Sequence, residues 1–260
     1  MSTAVDRYRE ILRRTTDWEA YLKKESRLPG PRGNLELAHA AAKEASKGIL
    51  TRYARLTPDQ APENSPEVFL ASCGVLGLGR LLAEGDEAQE SALRRLARDS
   101  RWRIREAVAT GLQTVGDASP TRLLRIARAW IRLGWLEQRA AVAAVAEPRL
   151  LVRKGSAASA VRMLDCATRN LARGGPGSDH DRRVLRQALG YAWSVVAVAT
   201  PEVGKAAMES WFASDNEDVR WAMRENLGKA RLRRMDPEWC ASWEKRLHPS
   251  VSRRRSRAGR

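Results

Sequence analysis

The chain has 260 residues and carries 47 Lys and Arg against 31 Asp and Glu, a formal net charge of +16; that length suffices for one large domain or two small ones. The apolar 43% is mostly Ala, Leu and Val with only two Phe, which suits closely packed helices, and no stretch approaches the roughly 20 uninterrupted apolar residues that cross a bilayer. Residues 1–25 are too charged for a secretory signal, and Cys73, Cys166 and Cys240 are scattered outside any Cys-x-x-Cys spacing, so the chain is expected to be cytoplasmic, away from membranes, with neither a disulfide framework nor a zinc site.

From the N-terminus, residues 6–25 read as one helix, and the loop from Ser26 to Asn34 caps a second helix that begins at Leu35. This pair forms an N-terminal helical cap over residues 1–64. Gly30 and Gly33, with Arg32 between them, free the backbone beside a helix N-terminus; the loop is expected to be an ordinary packed turn, with a phosphate site as the alternative, and no Gly-Lys-Ser/Thr follows, so this is not a P-loop. Gly74, Gly77 and Gly79 lie in an apolar helical segment, where each costs about 1 kcal/mol relative to Ala, so close helix approach is the expected reason.

Four helix starts pair a capping residue with proline at the first helical position: Ser65-Pro66, Ser119-Pro120, Thr200-Pro201 and Asp236-Pro237. The side-chain oxygen accepts an orphan N–H, and proline gives up a donor the helix could not use. After Pro120, the residues Leu123, Leu124, Ile126, Ala127, Trp130 and Ile131 form one stripe, and Leu133-Gly134 breaks it before a helix at Trp135. Ser156 to Leu171 is the next helix, and the Gly-Pro-rich stretch from Arg173 to Asp179 is a flexible connection to the helix of Tyr191 and Trp193. Residues 249–260, with five arginines and no acid, form a disordered basic tail and leave +11 for the body.

Two segments are similar to one another, Asp99 to Leu112 and Asp215 to Leu227. In each, an Asp leads through a turn to an aliphatic-Arg pair, Ile104-Arg105 and Val219-Arg220, and then to an amphipathic helix. Weaker copies centre on Arg139 and Arg186, so the arginines step by 34, 47 and 34 residues. A period in that range is a helix pair that buries its apolar face only by stacking on its neighbours. The expected fold is all-α, a right-handed α-solenoid of about five or six antiparallel helix pairs, with the repeats over residues 65–248.

A basic body attracts polyanions, and neutralising phosphates gives affinity through counterion release. The expected role is noncatalytic binding: second helices line a concave surface bearing Arg101, Arg103, Arg105, Arg132, Arg139, Arg186, Arg220 and Arg224, which holds nucleic acid, duplex DNA foremost, or an acidic protein. Trp130, Trp193, Trp211, Trp239 and Trp243 fall on apolar faces. Trp102, Trp135 and Trp221 stand beside arginines, where they could stack on bases or simply carry an arginine stem. Three histidines, His39, His180 and His248, support no Ser-His-Asp set. Asp179-His180-Asp181 lacks a fourth ligand, and neither metal nor cofactor is expected.

The Asp-turn-Val/Ile-Arg-helix pattern resembles the HEAT and armadillo-like families of α-solenoids over about residues 65–247. The resemblance implies a binding or scaffolding activity and a structural ladder of turn Asp and helix Arg, here Asp99, Arg105, Arg139, Asp215 and Arg220. Locally the chain is also similar to the alkylpurine DNA glycosylases built from HEAT-like repeats. Their Trp-Leu-Gln-Arg-Ala-Ala-Ile looks like Trp135 to Val142 with one inserted residue, and their catalytic carboxylate four residues after a tryptophan looks like Trp102 and Glu106. That resemblance implies DNA alkylation repair, with Glu106 stabilising a cationic sugar, Trp102 packing on it and Arg139 holding a phosphate. The chain departs from the motif at Arg101 and Arg103, and in its longer Glu106.

Overall fold

Caps and prolines fix most of the helix boundaries. The structure, a computed structural model, describes residues 3–153 and 155–247; the tail expected over 249–260 lies outside them. Among the described residues there are sixteen α-helices and no strand. Ser65, Ser119 and Asp236 accept from Val68, Arg122 and Trp239 N–H at 3.4, 3.3 and 3.0 Å, whereas Thr200 makes no such bond.

The helices pack as two units, Met1–Val145 and Ala146–Arg260. The first holds α1 (Ala4–Arg14), α2 (Trp18–Lys24), α3 (Leu35–Glu44), α4 (Lys47–Ala54), α5 (Pro66–Ala83), α6 (Ala88–Leu96), α7 (Trp102–Ala118), α8 (Pro120–Trp130) and α9 (Trp135–Val145). The second holds α10 (Pro148–Leu151), α11 (Ser156–Arg173), α12 (Asp179–Ala199), α13 (Pro201–Phe212), α14 (Glu217–Leu227), α15 (Ala230–Met235) and α16 (Pro237–Leu247).

The single helix expected over residues 6–25 is two. Thr15 is extended, its hydroxyl bonds Ile11 O at 2.8 Å, and Asp17 caps α2 through Ala20 N at 3.0 Å. Side chains that bond their own backbone in this way compete with the helix and break it there.

In the first unit α1, α3, α5, α7 and α9 stack in chain order, with α4 and α8 packed against α5 and α9. The centre is α5, which is buried on nearly every side from Val68 to Leu82. It is long and apolar enough to cross a membrane, yet 72% of it is buried inside the protein; it is the core helix. Its glycines make that possible. A Cβ at Gly74 would lie 2.7 Å from Leu50 O, one at Gly77 would meet the Leu50 side chain, and one at Gly79 would lie 2.6 Å from the Gly111 carbonyl. In the second unit α12 is central and packs on α11, α13, α14 and α15, with Trp193 fully buried and its indole N–H on Thr168 Oγ1 at 3.0 Å.

Bonds between alternate helices recur about one helix pair apart. Arg80 reaches Ala45 O and Arg139 reaches Arg105 O, 35 and 34 residues away. In the second unit Arg186 reaches Asp218 and Asn226 reaches Leu189 O, 32 and 37 residues away. At the N-terminal end Glu44 of α3 takes Arg13 and Arg9 of α1 at 2.8 and 2.6 Å. The Arg13 and then the Arg9 guanidinium hold its carboxyl below the usual value of 4.5. A depressed carboxylate stabilises the fold above its unfolded pKa and ceases to do so as pH falls through the folded one. Glu44→Gln is therefore expected to flatten the acid limb of a stability-versus-pH curve below about pH 4.5, while a titration of the variant that parallels wild type would dissociate Glu44 from that limb.

Candidate nucleic-acid interface

The turn before α7 is built around Arg101. Its Nε and Nη2 take Asp99 Oδ1 and Oδ2 at 2.8 and 2.7 Å, and the remaining donors go to Thr57, Ala61 and Leu56 carbonyls at 3.2, 3.1 and 3.0 Å. Arg101 is 4% exposed, so its donors are committed to the segment between α4 and α5. Arg105 is also buried and donates to Asp99 and Ser100 carbonyls at 2.7 and 2.8 Å. Arg139 of α9 donates to Arg105 O at 2.9 Å and to Glu106. These three arginines tie helix ends together; a phosphate could engage them only by displacing backbone carbonyls or carboxylates.

Arg103 reaches the other way. Its Nη2 donates to Gly30 O at 2.7 Å and to Asn64 Oδ1 at 3.0 Å, Glu63 lies 3.3 Å from its Nε, and its guanidinium sits 4.4 Å from the centre of the Trp102 ring. The loop it grips is a packed turn. Ser26 Oγ receives Leu28 N–H, Ser26 O receives Asn34 N–H, and Asn34 Nδ2 donates to Glu25 O and Tyr8 Oη. Gly33 is in contact range of the Phe69 ring. Arg27, at φ +61°, and Arg32 project from this loop, exposed and without an acidic partner among the described residues. The large exposed aromatic of this unit is Trp102, 45% exposed. Trp135, by contrast, is 5% exposed and its indole N–H has no partner among the described residues; it packs inside. Glu106 is one turn after Trp102 on α7, with a side chain 53% exposed and bonded to Arg139.

In the second unit Arg186 bonds Asp218 Oδ1 at 2.8 Å, Arg182 takes the other oxygen, and the Arg186 guanidinium lies 4.4 Å from the Trp221 ring. Arg220 and Arg224 carry no ion pair among the described residues, and Arg224 is exposed, as is Arg132 in the first unit. Neither Asp215 nor Arg220 makes an ion pair among the described residues, and the acid that joins α14 to the arginines of α12 is Asp218. Asp215 is exposed, and the turn is capped by Asn216, whose Oδ1 takes Asp218 and Val219 N–H at 3.0 and 3.1 Å. Sequence reasoning also missed Asn226, wholly buried, which donates to Leu189 and Ala222 carbonyls and accepts from Ser194 N–H at 2.8 Å. Its signal was available: Val219, Ala222, Met223, Asn226 and Leu227 are spaced as one apolar stripe, and a polar member of such a stripe has to find partners inside.

Trp130 is buried as expected, while Trp211, Trp239 and Trp243 are half-buried, with Trp211 and Trp239 donating to Asp165 and Glu209 at 3.0 and 2.6 Å. Cys73 and Cys240 are buried, which pushes both thiols up. No cluster of metal-ligating side chains occurs among the described residues, and Asp179 lies 3.4 Å from Arg182. No family model matches the chain, and no similar curated protein or solved structure was found.

Proposed function

We propose that this all-helical chain is a noncatalytic nucleic-acid-binding protein of the HEAT-like type, a right-handed solenoid of five or six helix pairs whose surface cations neutralise the phosphates of duplex DNA. The observation that carries the reading is Trp102: an exposed indole, backed on a guanidinium, beside a firmly packed loop that offers Arg27 and Arg32 with no acid among the described residues to neutralise them. An indole face supplies sequence-tolerant packing against the sugars of a duplex, and unpaired guanidiniums supply phosphate contacts. Of the arginines singled out in the sequence, Arg132, Arg220 and Arg224 have no ion pair among the described residues and can serve phosphates, whereas Arg101, Arg105 and Arg139 serve the fold.

The test is fluorescence anisotropy of the full chain with a labelled duplex over a salt series. Affinity should fall steeply with salt, and the Arg27→Ala/Arg32→Ala double variant should reduce the slope by about 2. Trp102→Ala should weaken binding by about 5- to 30-fold at fixed salt, the equivalent of roughly 1–2 kcal/mol. Affinity that does not respond to salt would overturn the reading, and polyglutamate bound as tightly as DNA would replace it with an acidic protein partner.

One observation favours a second reading, base excision: Glu106 is exposed one turn from Trp102. It is the weaker reading because Arg139, anchored on Arg105 O, holds that carboxylate, and a carboxylate already neutralised by a guanidinium has less charge to offer a developing cation. The expected result is no release of an alkylated purine above background by wild type. Release that disappears in Glu106→Gln would establish excision, with Glu106 as its carboxylate.

A further inference from the structure

The second unit carries a separate row of aromatic and guanidinium groups along α12, α14 and α15. Gly190 of α12 seats the Trp221 indole of α14; a Cβ there would lie 3.0 Å from the ring and 3.3 Å from Glu225 Cβ. One turn before, the Arg186 guanidinium covers Trp221 at 4.4 Å. Next to Gly190 stands Tyr191, 49% exposed, with the Arg231 guanidinium 4.2 Å from its ring centre and Arg231 Nη2 donating to Tyr191 Oη at 2.8 Å. Arg186 Nε and Arg231 Nη1 are buried without a hydrogen-bond partner among the described residues, which fits guanidiniums laid flat on rings. Each arginine thus holds an aromatic in a fixed pose, and half of Tyr191 is left to solvent.

The surroundings are cationic. Arg183 lies two turns before Tyr191 on α12, and Arg224 lies one turn after Trp221 on α14; both are exposed and lack an ion-pair partner among the described residues. Two acids of this face are engaged already, Asp218 by Arg182 and Arg186 and Glu225 by Lys229 at 3.3 Å, while Glu217, one turn before Trp221, is exposed. An immobilised aromatic with an open side, flanked by unpaired guanidiniums, is the arrangement that takes a flat, weakly polar ring linked to phosphates. A duplex hides its base faces in the stack, so only an unpaired strand offers such a ring.

We propose that the face formed by α12, α14 and α15 is a stacking surface for single-stranded nucleic acid, with a base on Tyr191 and flanking phosphates on Arg183 and Arg224. The inference rests on the nucleic-acid reading above and specifies the form of the polymer that this unit takes. It is tested with the full chain and fluorescein-labelled oligo(dT) of twelve nucleotides, beside the labelled duplex, by anisotropy at several salt concentrations. Tyr191→Ala and Tyr191→Leu should each weaken oligo(dT) binding by about 5- to 100-fold with an unchanged salt slope, and leave duplex binding unchanged. Tyr191→Phe should bind like wild type. Arg183→Ala/Arg224→Ala should lower the single-strand slope by about 1.4, or roughly 0.7 for each phosphate no longer neutralised. Tyr191→Leu keeps apolar bulk beside the Arg231 stem, so weaker binding in that variant is not a folding effect. Wild type that binds duplex but not oligo(dT), or Tyr191 variants that bind oligo(dT) as tightly as wild type, would overturn this inference alone; wild type that binds neither polymer would remove the nucleic-acid reading with it.

Discussion

Arg101→Met is expected to destabilise the first unit by about 3–5 kcal/mol, the range found when one partner of a buried ion pair is removed. Methionine fills much of the arginine's volume but donates nothing, so Asp99, only 10% exposed, keeps its charge without its guanidinium, and the carbonyls of Leu56, Thr57 and Ala61 lose their donors together. Single-domain stabilities of about 5–15 kcal/mol make that a large fraction of the total. Urea unfolding followed by circular dichroism would read it as a fall in the midpoint at constant slope. Amide exchange of Leu56, Thr57 and residues 59–61 should accelerate before that of α5, because the tether gives way before the core. Arg128→Met, at an exposed position without an ion pair among the described residues, should stay within about 0.5 kcal/mol of wild type. A change below about 1 kcal/mol in Arg101→Met would show that water replaces the guanidinium and that Arg101 is not the clasp its bonds describe. The result also bears on function, since a DNA-binding defect in Arg101→Met would report unfolding and not the removal of a group that touches phosphate.

Arg101 illustrates what the sequence could and could not reveal. All-helical character, the capped starts at Ser65, Ser119 and Asp236, and the close approach at the α5 glycines follow from local rules: spacing of apolar residues, cap chemistry and the cost of glycine in a helix. The α1–α2 break was missed because Thr15, Thr16 and Asp17 are compatible with either a helix or a cap, and only the partners that Asp17 and Trp18 find, Ala20 N and Leu12 O, decide it. The arginine roles depend on distant backbone. Arg101, Arg103 and Arg105 are spaced two apart and identical in type, yet one clasps the segment between α4 and α5, one grips the Gly30 loop, and one closes its own turn. Spacing names the positions, whereas the carbonyls that saturate them lie up to 73 residues away. The same holds for Asp215 and Asp218: both lie at the start of α14, and the register of α12 alone gives the arginines to the second. The exposed residues on which the binding proposals rest, Trp102 and Tyr191, are recognisable only once the guanidiniums beside them have been located.

Gly79→Ala is expected to cost about 3 kcal/mol at the upper end of overpacking penalties, offset by the roughly 1 kcal/mol that alanine gains over glycine in a helix. The added methyl would sit 2.6 Å from the carbonyl carbon and oxygen of Gly111, and these are backbone atoms of α7. A side chain in that place could rotate away; a helix backbone moves only with the whole helix, and α7 is held at its N-terminal end by Arg101 and Arg103. Gly74→Ala meets Leu50 O and the Tyr53 carbonyl carbon at 2.7 and 2.8 Å and should behave alike. Two other glycines set the scale. A Cβ on Gly111 comes no closer than 3.3 Å to Gly79, a gap that small shifts relieve, so Gly111→Ala should be nearly neutral; Gly48, whose nearest neighbour is Ser46 Oγ at 3.9 Å, should gain up to about 1 kcal/mol from alanine. If α5 is the hub through which α3, α4 and α7 are joined, the order of thermal midpoints should be Gly48→Ala, then Gly111→Ala, then Gly74→Ala and Gly79→Ala well below. Equal midpoints for Gly79→Ala and Gly111→Ala would mean that α5 and α7 can separate at little cost. The packing there would then be permissive, and the three glycines of α5 would need another explanation than the closeness of the helices they join.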